Sequence, residues 1–311
     1  MSEAPVGFEP VSGLYYERLG PRGDTPPLLF IHGGGGTGAC WRATPDGRPG
    51  WAERLAGDGR ECWLTDWPGT GRSGNRNGLE IEYADVVDGY RRLLRDVIAR
   101  PVVVICHSMG GAVTWQLVQD DSDLVAGVVA VAAAYPANVQ VRSEVESDDG
   151  SVAVVVFSDT GLRVTVDRRV MNLYEDGYIY RQAIATSTRF PMELVDTMRA
   201  GLVGLPPRML LQRLGVLEGM PVVDRPEGFA GKPIRLLTGG EDPAHTREIE
   251  ERTLSLLRGW GANAELVWLP DLGIEGNGHF LMFEVNSDEI LDVLVRQIDA
   301  VGGGPTDRGG D

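Results

Sequence analysis

Short apolar runs alternate with helical patterns along most of the chain. Six runs bounded by Gly, Pro or polar residues predict buried strands: 28–31, 62–67, 102–106, 125–133, 234–238 and 265–269. Between them, apolar side chains recur at helical spacing, as in 86–97, 249–257 and 290–298. The last of these opens at Asn286 with Glu289 three residues later, which predicts a capping box. Strands that alternate with helices predict an α/β fold, with a mostly parallel sheet and helices on both faces.

One stretch, 135–230, interrupts this alternation. It contains a predicted hairpin, 152–157 and 162–166, around the turn Asp159-Thr160-Gly161. The segments that follow are rich in Met, Tyr, Phe and Leu and are cut by several prolines. We expect a core of residues 1–134 and 231–301, with residues 135–230 inserted as a cap over the carboxyl edge of the sheet. The Gly-rich tail, 302–311, is expected to be flexible.

Composition narrows the class of protein. The 311 residues are 42% hydrophobic and 24% charged, as in a soluble globular protein. A net charge of −16 argues against nucleic acid and anionic membranes as partners. No apolar run reaches the roughly 18 residues of a membrane span, and three cysteines do not make a disulfide framework. The first residues carry no secretory signal, so we expect a cytoplasmic protein; the sequence leaves open whether it forms a homodimer.

The most specific motif is the segment 102–111, VVVICHSMGG. Ser108 falls where a buried strand must turn abruptly into a helix, and small residues follow it. This is the arrangement of a nucleophile elbow, G-x-S-x-G, with Cys106 in place of the first glycine. The turn would expose Ser108 and direct the backbone N–H of Met109, at a helix N-terminus, toward a developing oxyanion.

A glycine run, Gly33 to Gly36, follows His32 directly after the first predicted core strand. Glycines allow backbone N–H groups to approach a substrate oxygen closely, as in HGGG-type oxyanion loops. Gly33 or Gly34 would supply the second oxyanion donor, and the sequence does not decide which. His32 is expected to anchor the loop. The segment 66–73, DWPGTGRS, is interpreted as a structural tight loop.

A late loop, 273–280, carries the favoured general base. The chain has four histidines. His32 and His107 belong to the two loops above, and His245 lies near the start of a helix. His279 follows the last predicted strand, where the base of a serine nucleophile would lie. The cysteines and histidines are not at metal-ligand spacing, so we expect no metal and no cofactor.

Together, the elbow, the glycine loop, DWPGTGRS and the late histidine resemble the α/β-hydrolase superfamily over about residues 12–135 and 232–300. The C-x-S-x-G elbow and the G-N-G-H loop, with Glu284 and Asn286-Ser287 after it, are similar to the bacterial esterases of the esterase 713 group. The resemblance implies a Ser–acid–His triad and an α/β-hydrolase fold.

In that group the acid is a glutamate at the end of the strand after the elbow, but here alanine, Ala132, stands at the matching position. The commoner superfamily position offers Asp242, with Glu241 second. Either Asp242 orients His279 or the triad lacks its acid.

The expected substrate is a small hydrophobic acyl compound or metabolite. An apolar pocket above Ser108 is predicted to include Trp41, Tyr135, Tyr178 and Phe280. The favoured function is hydrolysis of a carboxylic ester through an acyl-enzyme at Ser108. The alternative is a non-hydrolytic cyclase, lyase or isomerase, motivated by the missing glutamate.

Overall fold

In the computed structural model, the described residues are 6–139, 143–157, 163–175 and 187–303. They form eleven strands. In chain order, β1 to β11 are Val6–Phe8, Tyr15–Leu19, Leu28–Ile31, Cys62–Asp66, Val102–Ser108, Val125–Ala133, Ser143–Asp148, Val152–Phe157, Arg163–Asp167, Pro233–Thr238 and Asn263–Trp268.

Eight of these strands make one sheet, in the order β1-β2-β4-β3-β5-β6-β10-β11. β1 and β2 pair antiparallel, as do β2 and β4, whereas every other neighbouring pair is parallel. The α/β-hydrolase fold predicted from the sequence is confirmed. All six predicted strands are present, with ends displaced by at most two residues.

Seven α-helices are described. In chain order, α1 to α7 are Trp51–Gly57, Tyr83–Arg92, Gly110–Asp120, Val195–Ala200, Pro207–Arg213, Arg247–Gly259 and Ser287–Gly302. A π-helical turn, Leu93–Ile98, extends α2. Apolar residues of α2 and α3 pack on one face of the sheet, and those of α1 and α7 pack on the other. No helix in these ranges has the length and apolar character that crossing a bilayer requires.

The start of α7 differs from the sequence prediction. Asn286 is the N-cap residue, but its side chain makes no capping bond to the helix backbone. Its Nδ2 instead donates to Glu289 Oε2 at 3.1 Å and to Asn277 Oδ1 at 3.3 Å. The predicted capping box is therefore wrong, because this carboxamide is engaged with the histidine loop.

Between β6 and β10 lie a three-stranded antiparallel sheet, β7-β8-β9, and the short helices α4 and α5. The two predicted hairpin strands are confirmed as β8 and β9, whereas their turn lies outside the described residues. Gln212 of α5 accepts a hydrogen bond from the backbone N–H of Tyr83, at the start of α2. The division into core and cap at residues 135 and 230 stays a prediction.

Asp66 ties together two loops at the carboxyl edge of the sheet. Its buried carboxylate accepts hydrogen bonds from the backbone N–H groups of Gly38 and Arg72, each at 2.8 Å. The Arg72 guanidinium also donates to both of its oxygens. Although burial opposes ionisation, these bonds hold the pKa of Asp66 below its usual value. This network gives the DWPGTGRS segment the structural role that its glycines and proline predict.

Candidate active site

The turn from β5 into α3 places Ser108 at the edge of the sheet. Ser108 has a φ of +47°, in the left-handed region that side chains other than glycine rarely adopt. Gly110 and Gly111 make this turn sterically feasible. A Cβ at these positions would lie 2.7 Å from His32 O and 2.4 Å from Ala134 O. Backbone strain of this kind is concentrated at functional sites.

A continuous hydrogen-bond chain joins the three residues that the sequence singled out. His279 Nε2 lies 3.0 Å from Ser108 Oγ, and His279 Nδ1 lies 2.6 Å from Asp242 Oδ2. Asp242 follows β10, and its other oxygen accepts from the Ala244 N–H at 2.9 Å. Both Asp242 and His279 are buried. The fold thus brings together residues that are 134 and 37 positions apart in the sequence.

The charge of Asp242 fixes the direction of these bonds. Burial by itself would raise the pKa of Asp242. Nearby His279 and His245, together with hydrogen bonds from His279 and Ala244, outweigh burial and lower the pKa to about 2. A carboxylate can only accept, so Nδ1 of His279 carries the proton and Nε2 is left to accept from Ser108. This is the tautomer that a general base requires.

The loop that carries His279 is held by Glu284. The two oxygens of this buried carboxylate accept from Gly278 N–H at 2.7 Å and from Asn277 Nδ2 at 2.5 Å. Asn277 Nδ2 also donates to Asn286 Oδ1 at 2.7 Å. Burial raises the pKa of Glu284. The sequence marked Glu284 and Asn286 only as part of a resemblance; their contact with Asn277 depends on the three-dimensional path of the loop.

Exchanging the donor and the acceptor of the Asn277–Glu284 hydrogen bond tests whether this pair positions His279. In Glu284→Gln, an amide NH2 faces either Gly278 N–H or Asn277 Nδ2, and we expect about tenfold slower reaction of Ser108 with a fluorophosphonate, because His279 is displaced. The double variant Asn277→Asp/Glu284→Gln restores a donor opposite an acceptor at positions 277 and 284, and the Asn286 carboxamide must rotate so that its Nδ2 faces the new carboxylate at position 277, so it should recover part of the rate. Labelling rates and urea unfolding of both variants are the measurements. A double variant slower than Glu284→Gln would contradict the positioning role.

The glycine loop lies directly against the elbow. A Cβ on Gly33 would be 2.8 Å from Ser108 Cβ, and one on Gly34 would be 2.4 Å from Met109 Sδ, so side chains are excluded there. Met109 is the N-cap of α3, which places its backbone N–H at a helix N-terminus. The assignment of Met109 with Gly34 or Gly33 as oxyanion donors stays a prediction.

His32 holds the glycine loop in place. Its ring is buried and stacks on Trp67 at 4.6 Å. Nδ1 lies 2.7 Å from Gly33 O, and Nε2 accepts from Trp67 N–H at 3.2 Å. Burial lowers the pKa of His32, as expected of a neutral ring that donates at one nitrogen and accepts at the other. These contacts agree with an anchoring role.

A cavity of about 240 Å³ opens beside the elbow and the glycine loop. Its walls include the backbone of the glycine loop, His107 at the elbow and residues of α4, and the side chains that shape it include Thr37, Cys40, Pro45, Met198, Leu202 and Phe283. None of the described residues that line it is Asp, Glu, Lys or Arg. Burial holds the pKa of His107 well below its usual value, so that ring is neutral as well.

Of the four predicted pocket residues, Phe280 lines this cavity. Trp41 does not. It is fully buried, and its ring meets His107 edge-on at a centroid distance of 6.3 Å. Tyr135 is also not among the residues that line the cavity, and the Arg213 guanidinium lies 5.7 Å from its ring. A role for Trp41 and Tyr135 in substrate binding stays a prediction. Tyr178 lies outside the described residues.

Comparison with known proteins identifies the family to which the chain belongs. A family model described as "Alpha/beta hydrolase family" matches residues 28–293. The chain belongs to the alpha/beta hydrolase family. A curated relative, named as a probable secreted lipase of Fungal sp. (strain ATCC 74256), is 25% identical over 345 residues, covering 92% of this chain and 85% of the relative.

Solved structures resemble this chain in fold. A thermophilic esterase from Thermogutta terrifontis has a TM-score of 0.59 at 17% identity, covering 93% of this chain and 94% of that one. A methylesterase from Arabidopsis has a TM-score of 0.57 at 18% identity, with coverages of 88% and 99%. At these identities the likeness shows the α/β-hydrolase fold alone.

The fold of this chain also brings a second histidine to the site. Asp242, His245 and His279 each offer a ligand atom, and these atoms all lie within 4.8 Å of one another. The expectation of no metal rested on the spacing of the cysteines and histidines alone, and it stays a prediction. In the structure, Asp242 and His279 are hydrogen-bonded to each other, and His245 is paired with Glu250.

Proposed function

We propose that this protein is a serine hydrolase that cleaves carboxylic esters through an acyl-enzyme at Ser108. The observation that carries the proposal is the hydrogen-bond chain from Ser108 through His279 to the ionised Asp242, at a strained strand-to-helix turn. A buried aspartate, a correctly oriented imidazole and a partly buried serine hydroxyl are together the components of an activated serine nucleophile.

In the acylation half, Ser108 Oγ attacks the ester carbonyl carbon while His279 Nε2 takes the hydroxyl proton. The carbonyl oxygen becomes an oxyanion, for which Met109 N–H and a glycine-loop N–H are the proposed donors. The intermediate then collapses, the C–O bond to the alcohol breaks, and His279 returns the proton to the leaving oxygen. Asp242 keeps Nδ1 protonated and stabilises the imidazolium.

In the deacylation half, water replaces the alcohol. His279 takes a proton from the water as it attacks the acyl carbon, and then donates it to Ser108 Oγ as the ester bond to the enzyme breaks. The products are a carboxylic acid and an alcohol, and Ser108 and His279 return to their starting states.

The position of Asp242 supports the first of the two alternatives left open by the missing glutamate, in which Asp242 orients His279. Ala132 has a φ of +39° and lies where the pairing of β5 with β6 shifts register, between Val131 and Ala133. Its methyl group cannot orient a histidine, but the Asp242 carboxylate already accepts from His279. This supports hydrolysis over the non-hydrolytic alternative. Membership of the esterase 713 group stays a hypothesis, supported by the C-x-S-x-G elbow and the G-N-G-H loop.

The proposed substrates are esters with a small, uncharged, apolar substituent. The lining of the cavity offers no carboxylate, ammonium or guanidinium among its described residues to pair with a charged group, and burying an unpaired charge is costly. At roughly 30 Å³ of liquid volume per water-sized atom, the cavity holds about eight non-hydrogen atoms. The similarity to a curated protein named as a probable secreted lipase supports an ester bond as the target.

A panel of p-nitrophenyl esters tests both parts of the proposal. We expect kcat/KM to be highest for straight acyl chains of about eight carbons or fewer, and at least about 100-fold lower for an acyl chain ending in a carboxylate. Met198→Ala should move the optimum to longer chains, because Met198 walls the cavity. Met192, which is exposed, provides the matched control Met192→Ala. Equal rates across chain length and charge would contradict this cavity assignment.

A further inference from the structure

A second histidine–carboxylate pair lies directly behind the three residues of the proposed triad. His245 Nδ1 is 2.8 Å from Glu250 Oε1, and both side chains are almost completely buried, with residue exposures of 4% and 3%. His245 belongs to the turn between Asp242 and α6, and Glu250 lies on the first turns of that helix. Buried ionisable groups require a partner, and these two provide one for each other.

The His245 ring also faces the catalytic histidine. The rings of His245 and His279 stack with centroids 5.5 Å apart and planes inclined by 21°. The His245 backbone N–H donates to Asp242 O at 3.2 Å, which closes the turn that carries the triad acid. His245 therefore contacts the base through its ring and the acid through its backbone. The proposed triad mechanism assigns it no role.

We infer that His245 and Glu250 act as a positioning pair, which holds Asp242 and His279 in place and sets how readily His279 accepts a proton. The inference rests on the proposed function, because His279 is the base only if Ser108 is the nucleophile. The pair touches no reacting atom and acts through the two triad residues.

The charged groups around His245 support this positioning role. Burial lowers the pKa of His245, but Asp242 and Glu250 outweigh it and raise the pKa above the usual value. When His245 is protonated, its positive charge lies against the stacked ring of His279, with ring centroids 5.5 Å apart. Like charges repel, so the His245 cation opposes a second positive charge on His279. The ionisable groups that face His245 are Asp242, Glu250, His279, Arg213 and His107.

Two substitutions remove the charge of His245 in different ways. In His245→Asn, the Asn Nδ2 stands where Nδ1 was and can still donate to Glu250, but the ring and its charge are lost. In Glu250→Gln, the ring remains and keeps a hydrogen-bond acceptor, but it loses the anion that favours its protonated form. Glu251→Gln is the matched control, because Glu251 is the next residue of α6 and pairs with Arg247 at the surface.

The test combines histidine NMR titrations with the pH dependence of fluorophosphonate labelling at Ser108. In His245→Asn, we expect the titration of His279 and the acidic limb of labelling to move together to higher pH, by about one unit or more. Glu250→Gln should move both in the same direction by a smaller amount. It disfavours the cation on His245, which lies near His279, but it also removes the anion of Glu250, which lies farther from His279. Glu251→Gln should match the wild type.

Three results would contradict either the positioning role of the His245–Glu250 pair or the proposed function. Identical His279 titrations in the wild type and in His245→Asn, with labelling slowed equally at every pH, would overturn the inference. Movement of His279 to lower pH would overturn it as well. A folded wild type whose His279 titration does shift in His245→Asn, but whose serine is never labelled, would reject the proposed function and leave the pair's effect on His279 standing.

Discussion

Ser108→Ala should reduce ester hydrolysis by at least about 10⁴-fold while the fold stays intact. The reason is direct, since alanine removes the oxygen that attacks the carbonyl and leaves His279 with no proton to accept. Alanine also leaves the rest of the strained turn unchanged, and its loss of one hydrogen bond to His279 should alter the free energy of unfolding by only about 1 kcal/mol. Initial rates with a short-chain p-nitrophenyl ester and urea unfolding curves are the measurements.

The control for this variant is Ser255→Ala. Ser255 lies exposed on α6, where its Oγ donates to Glu251 O at 2.8 Å. It should keep the wild-type rate, so that a loss in Ser108→Ala reflects the site and not serine removal in general. Substantial hydrolysis by folded Ser108→Ala would mean that another group is the nucleophile.

Asp242→Asn should cost about 10⁴-fold in kcat with little change in the fold. An amide at this position can donate to His279 Nδ1, which favours the tautomer whose proton lies on Nε2 and so removes the acceptor that Ser108 needs. Glu241→Gln should retain nearly full activity. The Glu241 side chain is turned toward Thr188, whose backbone N–H donates to its Oε2 at 2.6 Å. Steady-state kinetics of the two neighbouring variants therefore separate the candidate acids.

The pH dependence gives a second check on Asp242. Its folded-state pKa is lowered to about 2 from the ordinary value of 3.8, so its contribution to stability is present above pH 3.8 and is lost as the pH falls toward 2. Between about pH 5 and pH 9 the carboxylate stays ionised, and it should add no limb to the kcat/KM profile. If Glu241→Gln were the inactive variant and Asp242→Asn the active one, the assignment of the acid would be wrong.

The sequence predicted the parallel core well because buried parallel strands are continuous apolar runs. The segments 102–106 and 125–133 are recognisable without any tertiary information. β1, β2 and β7 escaped prediction because they carry many polar or exposed residues, as the pattern SEVESD of β7 shows. Their strand pairing is decided by neighbours, which a local pattern does not encode.

For the site, local motifs predicted which residues meet but not their surroundings. Ser108 and His279 were identifiable from an elbow and a loop after a strand, and Asp242 from its place after the next core strand. The direction of Trp41, which packs under His107, depends on tertiary packing. The hydrogen bond from Asn277 to Glu284 and the stacking of His245 on His279 depend on tertiary packing as well. Each of these is a contact between side chains whose neighbours are set by the fold.

The most direct test of the central claim is the intact mass of the protein after reaction with a fluorophosphonate. We expect one phosphonyl adduct on the wild type, located on Ser108 by peptide mapping, none on Ser108→Ala, and strongly slowed labelling of Asp242→Asn. A folded wild type that gains no mass, or a Ser108→Ala variant that gains the same adduct at the same rate, would contradict the assignment of Ser108 as the nucleophile.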